Sequence, residues 1–201
     1  MADTSYGVYH LADNPSAFQP MRSNNFIFVV DHKLIDLLRA ESAEFIDDSF
    51  IAASDKILEY SVASFDVPHF TQNEIPIKRG NSTVYFAGAP TFQTKNLVVN
   101  DYAGAGSKSV LEAWQNLSYN VEDDTINTSD KYKVNATVLE YLPDNTLIRY
   151  WELKGCWVSG ISEEGWSSDN AEKKRITATI RYDWAIPYRN SIYDATIPSK
   201  Y

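Results

Sequence analysis

The stretch 154-KGCWVSGISEEGW-166 brings together residue types from which catalytic sites are built. It holds Cys156, the only cysteine among the 201 residues, and the adjacent carboxylates Glu163 and Glu164. A thiolate becomes a strong nucleophile when a cation, a histidine or a helix N-terminus lowers the pKa of the thiol. Two neighbouring carboxyl groups can divide general acid and general base roles between them. The stretch therefore raises two candidate chemistries, a reactive thiol and an acid pair for a small hydrolase.

The surrounding sequence favours neither chemistry. Cys156 lies on a predicted strand between Gly155 and Trp157, with no activating cation or helix start beside it. A packing role is favoured, because a buried cysteine behaves as a small hydrophobic residue. Glu163 and Glu164 fall in a predicted Ser/Gly-rich loop, where carboxylates are ordinarily solvated, and neighbouring strand positions would point to opposite faces. The sequence predicts a protein that is not an enzyme.

Other groups that could bind a metal or a cofactor are sparse. His10, His32 and His69 are the three histidines, and none belongs to a zinc-binding or catalytic motif. The glycines of 103-AGAG-106 match neither a phosphate loop nor a dinucleotide fingerprint. The acidic segment 122-EDDTINTSD-130 has spaced oxygens but lacks the glycine and the final glutamate of an EF-hand. No cofactor and no metal site are predicted.

The elements that would position these residues are mainly strands. Apolar runs and alternation predict strands at 25–31, 57–67, 74–88 (two pieces around Gly80-Asn81), 91–102, 132–141, 146–157 and 175–184. In the last strand one face would carry Ile176, Ala178, Ile180, Tyr182 and Trp184. A helix is predicted from Ser107, with one apolar stripe of Val110, Leu111, Trp114 and Leu117. A second, short helix is predicted between 34 and 46.

This pattern predicts a mainly β protein, an antiparallel sandwich or barrel with one packed α-helix. The expected organisation is an N-terminal arm at 1–24, one β domain at 25–184 with an insertion at 32–56, and a C-terminal arm at 185–201. Aromatic residues leave two interpretations open, a sugar-stacking platform or core and interface packing, and the second is favoured. The residues concerned are Tyr150, Trp151, Trp157, Trp166 and Trp184.

Charge and hydropathy exclude some partners. The net charge of −9 argues against a protein that grips nucleic-acid phosphates, although not against one that must avoid sticking to them. No apolar run approaches the roughly 20 residues that a membrane-spanning helix requires. The first residues, MADTSYGVYHLADNPS, have neither the positive nor the apolar region of a signal peptide. We therefore expect a soluble, unsecreted protein with no membrane anchor.

The C-terminal stretch 152–184 resembles the signature end of the tail tube proteins of contractile-tailed bacteriophages. That signature is a strand running into a Lys-Gly-x-Trp turn, a Trp with an acidic/Asn pair, and a last strand ending in Tyr/Trp. The matching positions are Lys154, Gly155, Trp157, Trp166, Asp169, Asn170, Tyr182 and Trp184. Val158 stands where the family usually has proline. The segment 75–102, followed by the helix with Trp114, also fits, so the resemblance covers 24–184 except the insertion at 32–56.

The resemblance implies a structural protein of the virion tail, assembled in the host cytoplasm. Hexameric rings would stack into a hollow tube, with strands of six subunits forming one continuous β-barrel and the helix packed outside it. The tube would lie inside a contractile sheath, contact baseplate or terminator proteins, and conduct genomic DNA into the host without binding it specifically. Contractile bacteriocins and type VI secretion systems contain related tubes. A carbohydrate-binding or adhesin-like virion module is the alternative.

The resemblance and the tryptophan spacing also nominate surfaces. Trp157, Trp166, Asp169 and Asn170 are the candidate contacts between subunits or rings. The polar residues of the last strand, Thr177, Thr179, Arg181 and Asp183, are candidates for the lumen or for the sheet surface. A negative lumen wall would repel phosphates, so DNA would slide along it.

Overall fold

The computed structural model describes residues 22–41, 48–102, 104, 106–163, 165 and 173–189. His10, Glu164, Trp166, Asp169 and Asn170, with most of both predicted arms, lie outside this described part. The strands are β1 (Phe26–Val30), β2 (Val62–Phe65), β3 (Phe70–Arg79), β4 (Ser82–Phe92), β5 (Lys95–Asn100), β6 (Tyr119–Asn120), β7 (Thr125–Ile126), β8 (Val134–Tyr141), β9 (Leu147–Glu163), β10 (Arg175–Arg181) and β11 (Trp184–Arg189). The helices are α1 (Lys33–Glu41), α2 (Asp48–Ala52), α3 (Ser54–Ser61), α4 (Ser107–Asn116) and α5 (Ser129–Tyr132).

Seven strands form one antiparallel sheet in the order β1-β8-β9-β10-β5-β2, with β11 also paired to β9. The long strand β9 divides this sheet into two halves. In half A, β1, β8 and β11 join the first part of β9, up to Cys156. In half B, β10, β5 and β2 join its last part, Trp157–Glu163. The strands β3 and β4 form a separate two-stranded sheet.

The two halves meet where β9 bends. Gly155 has a left-handed φ of +66°, which glycine adopts without the steric cost that a side chain brings. Opposite it, the Asp183 N–H donates to the Lys154 carbonyl at 2.9 Å, in the break between β10 and β11. The Asp183 carboxylate binds Lys133 Nζ at 2.7 and 2.9 Å. One glycine and one ion pair therefore fix the angle between the halves.

Helices cover the inner face of the sheet. Val110, Leu111, Trp114 and Leu117 of the predicted stripe are all buried. The insertion contributes to the same core through Leu34, Leu38, Ile51 and Leu58, which are also buried. The Phe50 ring lies against Gly106, where a Cβ atom would come within 2.8 Å of it, so the insertion is packed directly on the start of α4.

The predicted mainly β fold is confirmed, but several elements differ from the sequence prediction. The insertion contains three helices rather than one, and residues 57–61, predicted as strand, belong to α3. Ser54, Leu58 and Ser61 are buried at helical spacing, and this periodicity outweighs the β-branched composition of the segment.

Two corrections concern the last third of the chain. The expected loop after Trp157 is strand as far as Glu163, because β10 pairs with it residue by residue. Residues 185–189, expected to begin an arm, belong to β11. Trp184 does not share the face of Ile176 and Tyr182, and its side chain is 52% exposed. The bend at Asp183 resets the alternation, so that Ala185 is the next buried residue.

Candidate assembly surfaces

Cys156, the first chemical candidate, lies in the core between the two sheet halves. It is fully buried, and burial raises the pKa of its thiol to about 12. A thiol that stays protonated at neutral pH is a poor nucleophile. The structure thus places Cys156 as a packing residue.

Glu163, the second candidate, ends β9 as a partner of two lysines. Its carboxylate lies 2.5 Å from Lys108 Nζ and 2.8 Å from Lys174 Nζ. Their hydrogen bonds lower the pKa of Glu163, which keeps the carboxylate charged. A general acid needs a raised pKa instead. The ion pairs join α4 to the sheet, and this arrangement serves structure better than proton transfer.

The remaining polar candidates do not converge. His32 is exposed and its Nδ1 lies 3.9 Å from Asp55, whereas His69 is exposed before the hairpin. In the acidic turn between β6 and β7, Tyr119 donates to Asp124 and Asn120 donates to Asp123. Within the described ranges no three His, Cys, Asp or Glu side chains are grouped so as to hold a metal ion. None of the helices described there is long and apolar enough to cross a membrane.

The candidate sugar platform is dispersed. Trp151 is buried on the inner face of half A, and Tyr150 occupies the opposite face of the same strand. Trp157 packs edge-on against Tyr132, with 5.8 Å between ring centroids. Trp184 is exposed on a different strand. The described aromatic residues therefore do not present one stacking surface, and the carbohydrate-binding alternative is not favoured.

The outer face of half B carries the candidate lumen residues. Thr177 and Thr179 of β10 are half-buried there, alternating with buried Ile176, Ala178 and Ile180. One row crosses the whole half and holds Ser64, Val98, Thr177 and Ser162. Arg181 is exposed at the end of β10, and Asp183 lies beyond it in the bend, paired with Lys133. The middle of this face is small, polar and uncharged rather than acidic.

Several strand edges in the main sheet are open. The path ends at β1 on one side and β2 on the other, and these two strands are not hydrogen-bonded to each other. They approach at the Phe28 and Phe65 rings, whose centroids are 5.0 Å apart. β8 stops pairing with β9 at Cys156, so one edge of Trp157–Glu163 has no partner among the described strands. Unpaired edges of this kind are templates for pairing with another chain.

The sequence missed the most prominent surface, the hairpin of β3 and β4. All of β3 is exposed, and in β4 only Gly88 and Phe92 are half-buried. The turn at Gly80-Asn81 was predicted, with Gly80 at a φ of +62°. The apolar strand residues suggested burial in the sheet, and only a count of the open main-sheet edges could have indicated otherwise. The exposed hairpin, the open edges and the half-B face are the candidate assembly surfaces.

No protein-family model matches the sequence, and no curated protein does. Among solved structures, the chain is similar to a chain in the sheath-tube complex of the extracellular contractile injection system PVC in the extended state. The identity is 13% and the TM-score 0.57, covering 92% of this chain and 100% of that chain. The sheath/tube terminator of PVC gives 13% identity and a TM-score of 0.58, covering 84% and 96%. The terminating cap of the anti-feeding prophage tube gives 12% and 0.60, covering 94% and 100%.

These identities are low, so the likeness concerns the fold. It extends over nearly the whole chain and confirms the expected contractile-tube-like fold. The neighbours are structural components of tubes and caps, which agrees with the absence of converging catalytic groups in the described residues.

Proposed function

We propose that the chain is a tube subunit of a phage-like contractile particle, in which copies join into rings and rings stack into a hollow tube. The single observation that carries this proposal is the fold likeness over 92–94% of the chain to a tube complex and a tube cap. The open edges of β1, β2 and β9 support it, because ring closure would pair backbone groups that one chain leaves unpaired.

In its finer form the proposal is a ring of six subunits whose strands form one continuous barrel. The sheath and a terminator or baseplate are the expected partners, because such assemblies are named in the neighbouring structures. The uncharged outer face of half B is the candidate lumen surface. Genomic DNA is the cargo that the sequence resemblance implies. A face of hydroxyls without lysine at its centre would let DNA pass without gripping phosphates.

Electron microscopy of the purified full-length chain tests this function. We expect rings or tubes with a central channel, and class averages viewed along the axis should show sixfold symmetry. A gel-shift titration with duplex DNA at low salt should show no specific binding. A monomer that stays monodisperse at high concentration and binds glycans on an array would contradict the proposal and favour the adhesin-like module.

A further inference from the structure

The β3–β4 hairpin needs a partner outside its own two strands. It is a separate two-stranded sheet, and nearly all of its residues are exposed. An isolated two-stranded hairpin is at best marginally stable in water. Yet the strands are ten and eleven residues long, well beyond the usual strand length. A hairpin of this length is expected to be ordered by a surface on which it packs.

One face of the hairpin is apolar. The cross-strand pairs Ile75–Phe86 and Ile77–Val84 lie on it, and the four side chains are 39–50% exposed. The opposite face carries Glu74, Lys78 and Thr83 together with Pro76 and Tyr85. A contiguous exposed apolar face that is backed by a polar face marks an interaction surface.

The hairpin is built to use this face rather than the outer edge of β3. The two-residue turn at Gly80-Asn81 makes Arg79 and Ser82 a hydrogen-bonded pair. Because paired positions alternate along an antiparallel ladder, Pro76 and Tyr85 form a non-hydrogen-bonded pair, whose N–H groups point outward. Proline has no N–H, so the outer edge of β3 lacks a donor at its centre. A strand added along that edge would have a broken ladder.

A matching surface lies on the outer face of half A. One row across its four strands holds Ile27, Leu139, Tyr150 and Tyr188. All four are partly exposed, and the Tyr150 and Tyr188 rings stack with centroids 4.7 Å apart. The corresponding row of half B contains serine and threonine instead. Of the two outer faces, half A is the one with the chemistry of the apolar hairpin face.

We propose that the apolar face of the hairpin packs on the outer face of half A in a second copy of this chain. This rests on the proposed function, in which identical chains assemble. Charge also favours a second copy, since the basic tip residues Lys78 and Arg79 would approach a chain whose net charge is −9. The contact joins two different surfaces, so it propagates from copy to copy rather than closing a dimer.

Neighbouring residues on β4 provide a matched test of the hairpin face. Val84 points to the apolar face and Thr83 to the polar face, and both are exposed. We expect Val84→Asp to raise the concentration needed for assembly at least tenfold, measured by analytical ultracentrifugation of the full chain. Thr83→Asp should assemble as the wild type does. Both variants should melt at the wild-type temperature, which excludes a folding defect. Wild-type assembly of folded Val84→Asp would overturn the proposal.

Cysteine cross-linking tests the acceptor face. The native Cys156 is fully buried and does not compete for the reagent. A chain with Ile77→Cys is mixed with a size-tagged chain carrying Leu139→Cys, and a bifunctional maleimide is added. We expect a cross-link of mixed size with Leu139→Cys and none with Thr177→Cys on half B. Cross-linking only to Thr177→Cys, or to neither, contradicts the proposal.

The two levels of inference fail separately. If the wild type forms tubes but Leu139→Cys does not cross-link, the tube function stands and the hairpin contact is wrong. If no rings or tubes form, the tube function is wrong, whereas a mixed-size cross-link would still establish the contact between copies.

Discussion

Gly155 of β9 and Asp183, between β10 and β11, occupy the same point of the sheet. A Cβ atom at position 155 would collide with the Asp183 carboxylate, which is held there by Lys133. The backbone at Gly155 has a left-handed φ of +66°. The bend that separates the two sheet halves therefore depends on the absence of one side chain.

Gly155→Ala is expected to destabilise the protein by about 2 kcal/mol or more, since it adds left-handed strain and a clash with Asp183. Chemical denaturation monitored by circular dichroism measures the change. Gly160→Ala is the matched control, because Gly160 lies on the same strand and a Cβ atom there meets nothing within 4 Å. Equal effects at both positions would contradict the structural role of the bend.

Trp114→Ala should cost roughly 3–5 kcal/mol, because the side chain is fully buried at the centre of the α4 stripe. Trp184→Ala removes the same side chain from an exposed position and should cost less than about 1 kcal/mol. Thermal and urea unfolding of both variants compare the two sites. An unchanged stability of Trp114→Ala would disprove its assignment to the core.

Tyr182→Phe tests a buried hydroxyl that has no hydrogen-bond partner in the described structure. Removing it should leave stability at pH 7 unchanged or raise it by about 1 kcal/mol, because an unpaired buried hydroxyl costs its desolvation. Burial also raises the pKa of Tyr182 to about 12 from an ordinary value of 10. The unfolded chain therefore ionises first, and the stability contributed by this group is full below pH 10 and falls as the pH rises toward 12.

Urea titrations at pH 8, 10 and 11 measure this alkaline loss. The buried thiol of Cys156, with its pKa raised to about 12, adds a loss that begins near pH 9, so some dependence should persist in Tyr182→Phe. The variant should lose less stability between pH 10 and 11 than the wild type does. An identical slope in both proteins would count against a buried Tyr182 hydroxyl.

Glu163→Gln is expected to reduce stability at neutral pH by less than about 1 kcal/mol, because the ion pairs with Lys108 and Lys174 are partly exposed. The lysines lower the pKa of Glu163, so its contribution is present above the ordinary carboxyl pKa and is lost as the pH falls through the lowered value. The difference between variant and wild type should therefore shrink toward pH 3 in urea unfolding. Glu122→Gln, on the exposed turn before β7, controls for the loss of one charge; a pH-independent difference would argue against the ion pairs.

The sequence predicted well wherever local periodicity and global burial agree. The stripe of α4 and the alternation of Ile176, Ala178 and Ile180 could be read directly, because one face of each element is buried along its whole length. The packing role of Cys156 followed from the apolar strand around it. In these places each residue reports its own surroundings.

Prediction failed where partners distant in the chain decide the structure. Gly160 and Ser162 have loop-like composition, yet pairing with Thr179 and Thr177 holds them in β9. Ile75 and Phe86 have the composition of a buried sheet but belong to an exposed hairpin. The alternation at Trp184 was misjudged because the bend depends on Gly155 and Lys133, which lie far away in sequence. Surfaces that function only between copies leave no local pattern at all.

The register of β1 with β8 has a kinetic consequence. Phe28 pairs with Val138 and Val30 with Ala136, partners separated by roughly a hundred residues, and non-local pairing of this kind slows folding. On the ribosome β1 emerges early and waits for β8, while the insertion helices can already collapse onto it. Those helices therefore shield a sticky nascent strand during synthesis, so their removal is expected to lower the yield of folded chain before it affects any finished assembly.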